Sequence, residues 1–536
     1  MDSTTDERSA SDDAAPAAAA PAPAPKCEKI VLSSEAEQDA YPFDSAAECW
    51  SMVSLKAPVY EPSERASIDL VAVVDKSGSM SGEKISLVRE TLHFVVDQLK
   101  DTDRLGIVSY DTSVYDDLRL KVMNQKGKSQ AHAVIDKLKD GSSTNLSGGL
   151  ERGLEYIEQL GTNKKDVLSV LLMTDGMANR GVTAQPDILR RMTRAGRGQG
   201  GWSGGILASV QRGISRLLDS EENASSAGNA EEVAAIVHTF GFGSDHLASL
   251  LEAISEKGQG MYYFIDNNEK IPEAFADCLG GLLSTVGQNV TLTIATKNGT
   301  HITKVHHRRA GALSDSSTKR LAVVYRQFQV ICGGVEHHGC VRSADLECEV
   351  KIGDVQSEEQ RDIVIQLQLP QLQAPQPEPE VVLEAELSYF NAITSMMEKN
   401  TTSICVRRPA DVPAGSVQSK PTIDLQRNRV IAAEAMKRAT ELADGNKLEE
   451  ARAVIAKATA VITDSCTKDE SQSQYLLADL SKSREQLSSH HAYRAGGNFM
   501  YMQAQSHAVQ RSSAADNESY CTPRKMRMKS LVSKKK

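Results

Sequence analysis

Two carboxylates and three hydroxyls stand in this chain at spacings that suit a hard cation. Asp75, Ser77 and Ser79 belong to the loop Asp75-Lys76-Ser77-Gly78-Ser79, which abruptly ends a near-continuous apolar run of Ile68, Leu70, Val71, Ala72, Val73 and Val74. Small oxygen donors around a glycine turn fit a divalent ion that prefers oxygen, most simply Mg²⁺, with Mn²⁺ or Ca²⁺ as alternatives. Ser, Gly and Asp also cap ordinary strand-to-helix turns, so this loop alone leaves both readings open. Two later stretches add donors. Thr144 stands in the loop Gly141-Ser142-Ser143-Thr144-Asn145, and Asp175 follows a second apolar run, VLSVLLMT, at 167–174.

The elements that position these groups are read from periodicity. The two apolar runs predict strands buried on both faces of a parallel sheet, and open α/β sheets collect their ligands at strand carboxyl ends. As parallel neighbours, the two strands would deliver Asp75 and Asp175 to one edge. Ile85, Val88, Leu92, Val95, Val96 and Leu99 recur at helical spacing, so a helix follows the first loop with its amino end, which favours anions, towards the site. Further strands are expected at 104–109, 118–123, 235–240 and 261–264, with helices at 129–138, 147–160, 246–256 and 269–283. This alternation requires right-handed crossovers and a doubly wound sheet.

Asp75, Ser77 and Ser79, then Thr144, then Asp175 resemble the metal-ion-dependent adhesion site of von Willebrand factor type A domains. Val237-His238-Thr239-Phe240-Gly241-Phe242-Gly243 and residues 275–283 resemble the later part of that domain in an intracellular branch. The resemblance implies that the two Ser and the Thr bind Mg²⁺ directly, that the Asp residues act directly or through water, and that a partner's carboxylate completes the shell. Residues 425–510, including Tyr493-Arg494-Ala495-Gly496-Gly497, resemble the helical hedgehog/intein-associated domain of intracellular relatives. Plant proteins of that arrangement are RING-type ubiquitin ligases. A RING needs a dense Cys/His set, and only Cys27 and Cys49 precede the metal domain. No intein-like segment with a nucleophilic Cys is evident, so neither activity is carried over.

At 536 residues the chain exceeds one ordinary domain. The formal net charge of −10 excludes a general nucleic-acid binder. Its 9 cysteines are scattered with no Cys-x-x-Cys pair, which predicts reduced thiols and a cytoplasmic protein, with the nucleus as alternative. No stretch approaches the roughly 18 apolar residues that span a bilayer. The reading divides the chain into a disordered Ala/Pro-rich arm and linker (1–49), a strand pairing with the β domain (50–66), the α/β metal domain (67–287, with an insertion at about 178–232), an all-β sandwich (288–410), a linker (411–424), a helical hairpin or bundle (425–510) and a basic disordered tail (511–536). The sandwich rests on period-two runs at 290–294, 321–325, 346–350, 363–369 and 381–387.

Three other features carry less. Gly196-Arg197-Gly198-Gln199-Gly200-Gly201 matches a dinucleotide fingerprint by letter, but 187–193 before it reads as a helix rather than the required strand. Cys332, His337, His338 and Cys340 have no recognised zinc spacing. The tail from Arg524 onwards lacks acidic residues and reads as a solvated end, a nuclear signal, or a lipid or RNA contact. The expected function is a non-enzymatic, Mg²⁺-dependent protein-binding scaffold that captures an Asp or Glu of its partner. The alternative is a substrate-recruiting component of a ubiquitin ligase complex lacking its own RING. Arg190, Arg191, Arg194 and Arg197 in the insertion offer a metal-free route to an acidic partner.

Overall fold

The apolar runs that end in Asp75 and Asp175 lie side by side in the middle of a six-stranded sheet. The computed structural model describes residues 29–60, 66–175, 178–195, 235–266, 270–307, 347–413, 415, 418–513 and 520–533. Along the chain its strands are β1 (Val31–Ala36), β2 (Ala47–Lys56), β3 (Ile68–Asp75), β4 (Arg104–Tyr110), β5 (Val114–Val122), β6 (Val167–Thr174), β7 (Ile236–Phe242), β8 (Gln259–Ile265), β9 (Thr285–Thr296), β10 (His301–His306), β11 (Glu347–Gln356), β12 (Gln360–Leu369), β13 (Gln376–Asn391) and β14 (Met396–Arg408). Its helices are α1 (Glu83–Gln98), α2 (Gln125–Ile135), α3 (Leu146–Glu158), α4 (Gln185–Ala195), α5 (Ala248–Lys257), α6 (Ile271–Leu282), α7 (Pro421–Asp444), α8 (Leu448–Thr463), α9 (Ser471–Gln486), α10 (His490–Val509) and α11 (Pro523–Ser533).

The central sheet runs β5-β4-β3-β6-β7-β8, parallel except for β5 at one edge. Every residue of β3 is buried, because its side chains alternate into two cores. Ile68, Leu70, Ala72 and Val74 pack with α1, α2 and α6, while Val71 and Val73 pack with α3, α4 and α5 on the other face. That is the pattern of a sheet covered by helices on both sides.

The rest of the chain builds two four-stranded antiparallel sheets, β1-β2-β12-β10 and β11-β9-β13-β14. Their inward residues, Val53, Leu55, Ile363 and Ile365 from one and Leu292, Ile294, Leu383 and Leu387 from the other, share one cluster. In chain order β3 to α6 lie between β2 and β9, and β2 pairs with β12 through Val53↔Ile363 and Leu55↔Arg361. Helices α7 to α10 form a fourth cluster. Arg429 of α7 is buried and donates to the carbonyls of His507 (2.7 Å) and Asp362 (2.9 Å), tying that bundle to β12.

The boundaries differ from the sequence reading at several places: β9 begins at Thr285, within the stretch assigned to the α/β domain, α7 begins at Pro421, within the expected linker, and two terminal stretches are ordered in part. The arm and linker at 1–49 contain β1 and the first part of β2, an ordered pair missed because the β1 sequence VLSSEA alternates only weakly. The stretch 511–536, taken as a disordered tail, contains α11, whose Lys525 is buried against Asp277 of α6. Its basic composition suggested solvation because the compensating carboxylate lies far away in sequence. The arm at 1–28, the 321–325 strand, Cys332, His337, His338 and Cys340, the glycine-rich motif at 196–201 and Arg197 lie outside the described residues.

Candidate metal centre

Strand register brings the first and third motif stretches together. β3 and β6 are parallel neighbours with Val74 opposite Met173, so Asp75 and Asp175 leave the sheet at the same edge. Beyond Asp75 the chain turns through a short 3-10 helix, Gly78–Met80, whose Met80 is buried and anchors the loop. Gly82, at φ 79°, then sets the direction of α1, a left-handed conformation that favours glycine. The middle stretch is laced to this loop by backbone bonds, Gly78 N–H to the Ser142 carbonyl (2.9 Å) and Gly141 N–H to the Lys76 carbonyl (2.5 Å). Thr144 is buried just before α3, its N–H donating to Asn179 Oδ1 at 2.8 Å. Asn145 caps α3 by accepting from Gly148 N–H.

The side chains of Asp75, Ser77, Ser79 and Asp175 form a connected set. Ser77 N–H donates to Asp75 Oδ1 (2.8 Å), and Thr174 Oγ1 donates to Asp75 Oδ2 (2.5 Å). Ser77 Oγ and Ser79 Oγ are 3.1 Å apart, and Ser79 Oγ donates to Asp175 Oδ1 at 2.8 Å. Ser79 is exposed whereas Asp75, Ser77 and Asp175 are buried, so the set opens to solvent at Ser79. Neighbouring oxygens of an octahedral Mg²⁺ shell, with bonds of about 2.1 Å, lie about 3.0 Å apart, and the serine and aspartate oxygens match that edge. Among the described residues no three His, Cys, Asp or Glu side chains gather as a metal-ligating group; the donors here are hydroxyls with two carboxylates.

Electrostatics favour a cation. Burial pushes the Asp75 carboxyl above its usual range despite the Thr174 and Ser77 hydrogen bonds, and the charge of Asp175 adds to the rise. Burial, together with Asp75, also pushes the Tyr110 hydroxyl well above the usual phenol range, so the floor of the site stays neutral there. Positive charge placed among these oxygens would relieve the cost of ionising Asp75. His246, on the loop after β7, has both ring nitrogens engaged, Nδ1 with the Gly243 carbonyl (2.7 Å) and Nε2 with the Tyr262 hydroxyl (2.6 Å).

Sequence reasoning passed over Lys84, whose ammonium pairs with Asp175 Oδ2. A signal was present: a lysine in the first turn of a helix opposes the helix dipole and calls for a nearby carboxylate. It also passed over Thr174, which differs from the apolar residues before it in holding Asp75. The insertion arginines are partly accounted for, since Arg190 pairs with Asp187 and Arg191 with Glu151 at 2.8 Å.

Residues 69–277 match the family model of the von Willebrand factor type A domain. The chain is 26% identical over 311 residues to E3 ubiquitin-protein ligase WAV3 of Arabidopsis thaliana, covering 58% of this chain and 32% of that protein. It thus spans about a third of that relative's length. Among solved structures, von Willebrand factor type A from Catenulispora acidiphila superposes with a TM-score of 0.57 at 14% identity, covering 84% of this chain and 89% of that one. The ArnB paralog VWA2 from Sulfolobus acidocaldarius gives 0.53 at 12% identity, covering 89% and 99%. At these identities the likeness is one of fold, and it extends over the added sheets and helices.

Proposed function

Because residues 69–277 form a von Willebrand factor type A domain, we propose that this protein is a Mg²⁺-dependent binding module and scaffold that captures an acidic residue of a partner protein. Asp75, Ser77, Ser79, Thr144 and Asp175 would hold the ion, which supplies a coordination position open to a carboxylate oxygen. The observation that carries this reading is the spacing of 3.1 Å between the two serine hydroxyls and 2.8 Å from Ser79 to Asp175. The role of the chain is to keep those oxygens converged. β3 and β6 fix the carboxylates, Met80 anchors the serines, and α1 directs its positive end towards an incoming anion.

Binding rather than catalysis fits the surroundings. His246, the imidazole on the neighbouring loop, is buried, with its nitrogens turned to the Gly243 carbonyl and the Tyr262 hydroxyl. The free thiols Cys49, Cys278, Cys348, Cys405, Cys466 and Cys521 suit a reducing compartment such as the cytoplasm. Among the described residues no helix is long and apolar enough to cross a membrane. Capture of partners by the full-length protein, compared in Mg²⁺ and in EDTA, tests the reading. Loss of capture in EDTA supports it, whereas equal capture would refute a metal bridge.

The match to an E3 ubiquitin-protein ligase over 58% of the chain favours a second reading, in which the captured protein is presented to a ubiquitin ligase whose RING lies on another subunit. Co-purification of ubiquitin-conjugating enzymes with the tagged protein would support it, and their absence from a partner-bearing complex would count against it.

A further inference from the structure

Asp175 is held from two sides. Ser79 Oγ donates to Oδ1 at 2.8 Å, and the Lys84 ammonium sits on Oδ2. Lys84 occupies the second position of α1, where the positive end of the helix disfavours a cation, so the Asp175 contact offsets a local cost. Gly243, on the loop after β7, lies beside the lysine, where a Cβ would make ordinary van der Waals contact with Nζ (3.6 Å) and Cε (3.7 Å). Lys76, the lysine inside the Asp-x-Ser-x-Ser loop, is differently placed: its Nζ is 4.0 Å from Asp111 and lies over the Tyr115 ring at 3.6 Å. Asp111 therefore balances Lys76, and Lys84 is the lysine directed onto Asp175.

We propose that Lys84 sets the charge of this site, weakening its hold on the metal ion while strengthening its hold on an anionic partner. The proposal rests on the metal-binding reading above. Asp75 and Asp175 contribute two negative charges, the hydroxyls none, and a divalent ion would balance them. Lys84 then adds one positive charge, which a carboxylate on the partner answers. The lysine also occupies Asp175 Oδ2, withholding that oxygen from the ion. A neutral residue at position 84 reverses both effects, since a like charge nearby repels the cation and the same charge attracts the anion. The partner best suited to the site is therefore a negatively charged side chain rather than a neutral oxygen donor.

Solvent-water proton relaxation on the full-length protein, with Mn²⁺ as the paramagnetic ion, measures both affinities. Titrating Mn²⁺ gives the affinity for the ion; titrating acetate into the Mn²⁺-loaded protein gives the affinity for a carboxylate as it displaces bound water. Lys84→Met is expected to bind Mn²⁺ at least about fivefold more tightly and acetate at least about fivefold more weakly, with Lys84→Arg close to wild type in both. Damage to the fold would weaken both together, so movement in opposite directions isolates the charge. If both affinities of Lys84→Met are unchanged or move the same way, the proposal is overturned. If wild type binds no Mn²⁺, or Asp75→Ala binds it equally well, the metal reading itself fails and the proposal falls with it.

Discussion

Lys525 Nζ lies 2.9 Å from Asp277 Oδ2 with both side chains almost sealed from solvent, pinning α11 to α6 through a buried charge pair. Lys529 reaches the other Asp277 oxygen at 3.3 Å, and Ser512 donates to it as well. Burial would raise the Asp277 carboxyl, but the two lysines outweigh it and hold it below the usual range. Packing is close enough that a Cβ on Gly280 would meet Lys525 Cα at 3.3 Å. The last helix of the type A domain is thus covered by a segment more than two hundred residues further along the chain.

Breaking one partner of such a pair leaves the other buried and under-compensated. Lys525→Met is expected to lower stability by about 3–5 kcal/mol, measured by urea unfolding of the full-length protein. A loss below about 0.5 kcal/mol would mean that α11 is held by something other than this pair.

A second link joins the helical bundle to the edge of the central sheet. Strand β8 is an edge strand, and α10 accepts from two of its N–H groups: Tyr262 N–H donates to Gln505 Oε1 (2.6 Å) and Phe264 N–H to Met502 Sδ (3.3 Å). Gln505 Nε2 in turn donates to Ser255 Oγ at 3.0 Å. Covering an edge in this way prevents pairing with another chain. Gln505→Ala strands a buried N–H and should cost about 1–3 kcal/mol, with faster hydrogen exchange at Tyr262. Unaltered exchange there would show that the glutamine does not seal the edge.

Two buried histidines give the protein an acid-sensitive component. Burial holds His246 at about 4 and His238 at about 3, against 6.5 for an ordinary histidine. Both stay neutral in the fold while the unfolded chain takes up protons below pH 6.5, so stability falls as pH drops from about 6.5 towards 4 and is insensitive to these groups above about 7. For His246 the full effect is on the order of 3 kcal/mol. Unfolding free energies of wild type and His246→Gln, measured between pH 7.5 and 4.5, should show a shallower pH slope in the variant. Identical slopes would remove His246 from the account.

The middle of the central sheet was legible because β3 and β6 are long apolar runs that lead into Asp75 and Asp175, which identify both the strand and the loop at its end, whereas the edge strand β5, VYDDLRLKV, is largely polar. Asp75, Ser77 and Ser79 come from one short loop, whereas Thr144 and Asp175 joined them through the resemblance to a metal-ion-dependent adhesion site; what the fold adds is the β3–β6 pairing that takes Asp75 and Asp175 to one edge. Lys84 could not be chosen over Lys76 by spacing alone. Only the direction of α1 decides which lysine meets Asp175, and which meets Asp111 instead.

Long-range pairings were the least legible. Lys525 and Lys529 sit in a run without acidic residues, where solvation is the natural inference, and Asp277 hides in an apolar helix. Helix α10 carries Gly496-Gly497 in its middle, a pair that disfavours helix in isolation. In the structure both lie inside the helix, where a Cβ on Gly496 would meet Gln486 at 2.6 Å and one on Gly497 would meet Tyr493 at 2.7 Å. These glycines permit close packing instead of ending the helix.

Calorimetric titration of Mg²⁺ into the full-length protein, alongside Asp75→Ala and Ser77→Ala, tests the central claim most directly. The account predicts one ion bound per wild-type chain, with affinity lowered more than about a hundredfold by Asp75→Ala, beyond the range that outer-shell changes produce, and clearly lowered by Ser77→Ala. Binding by both variants at wild-type affinity would contradict it, leaving the Asp-x-Ser-x-Ser loop as a capped turn and the ion held elsewhere or not at all.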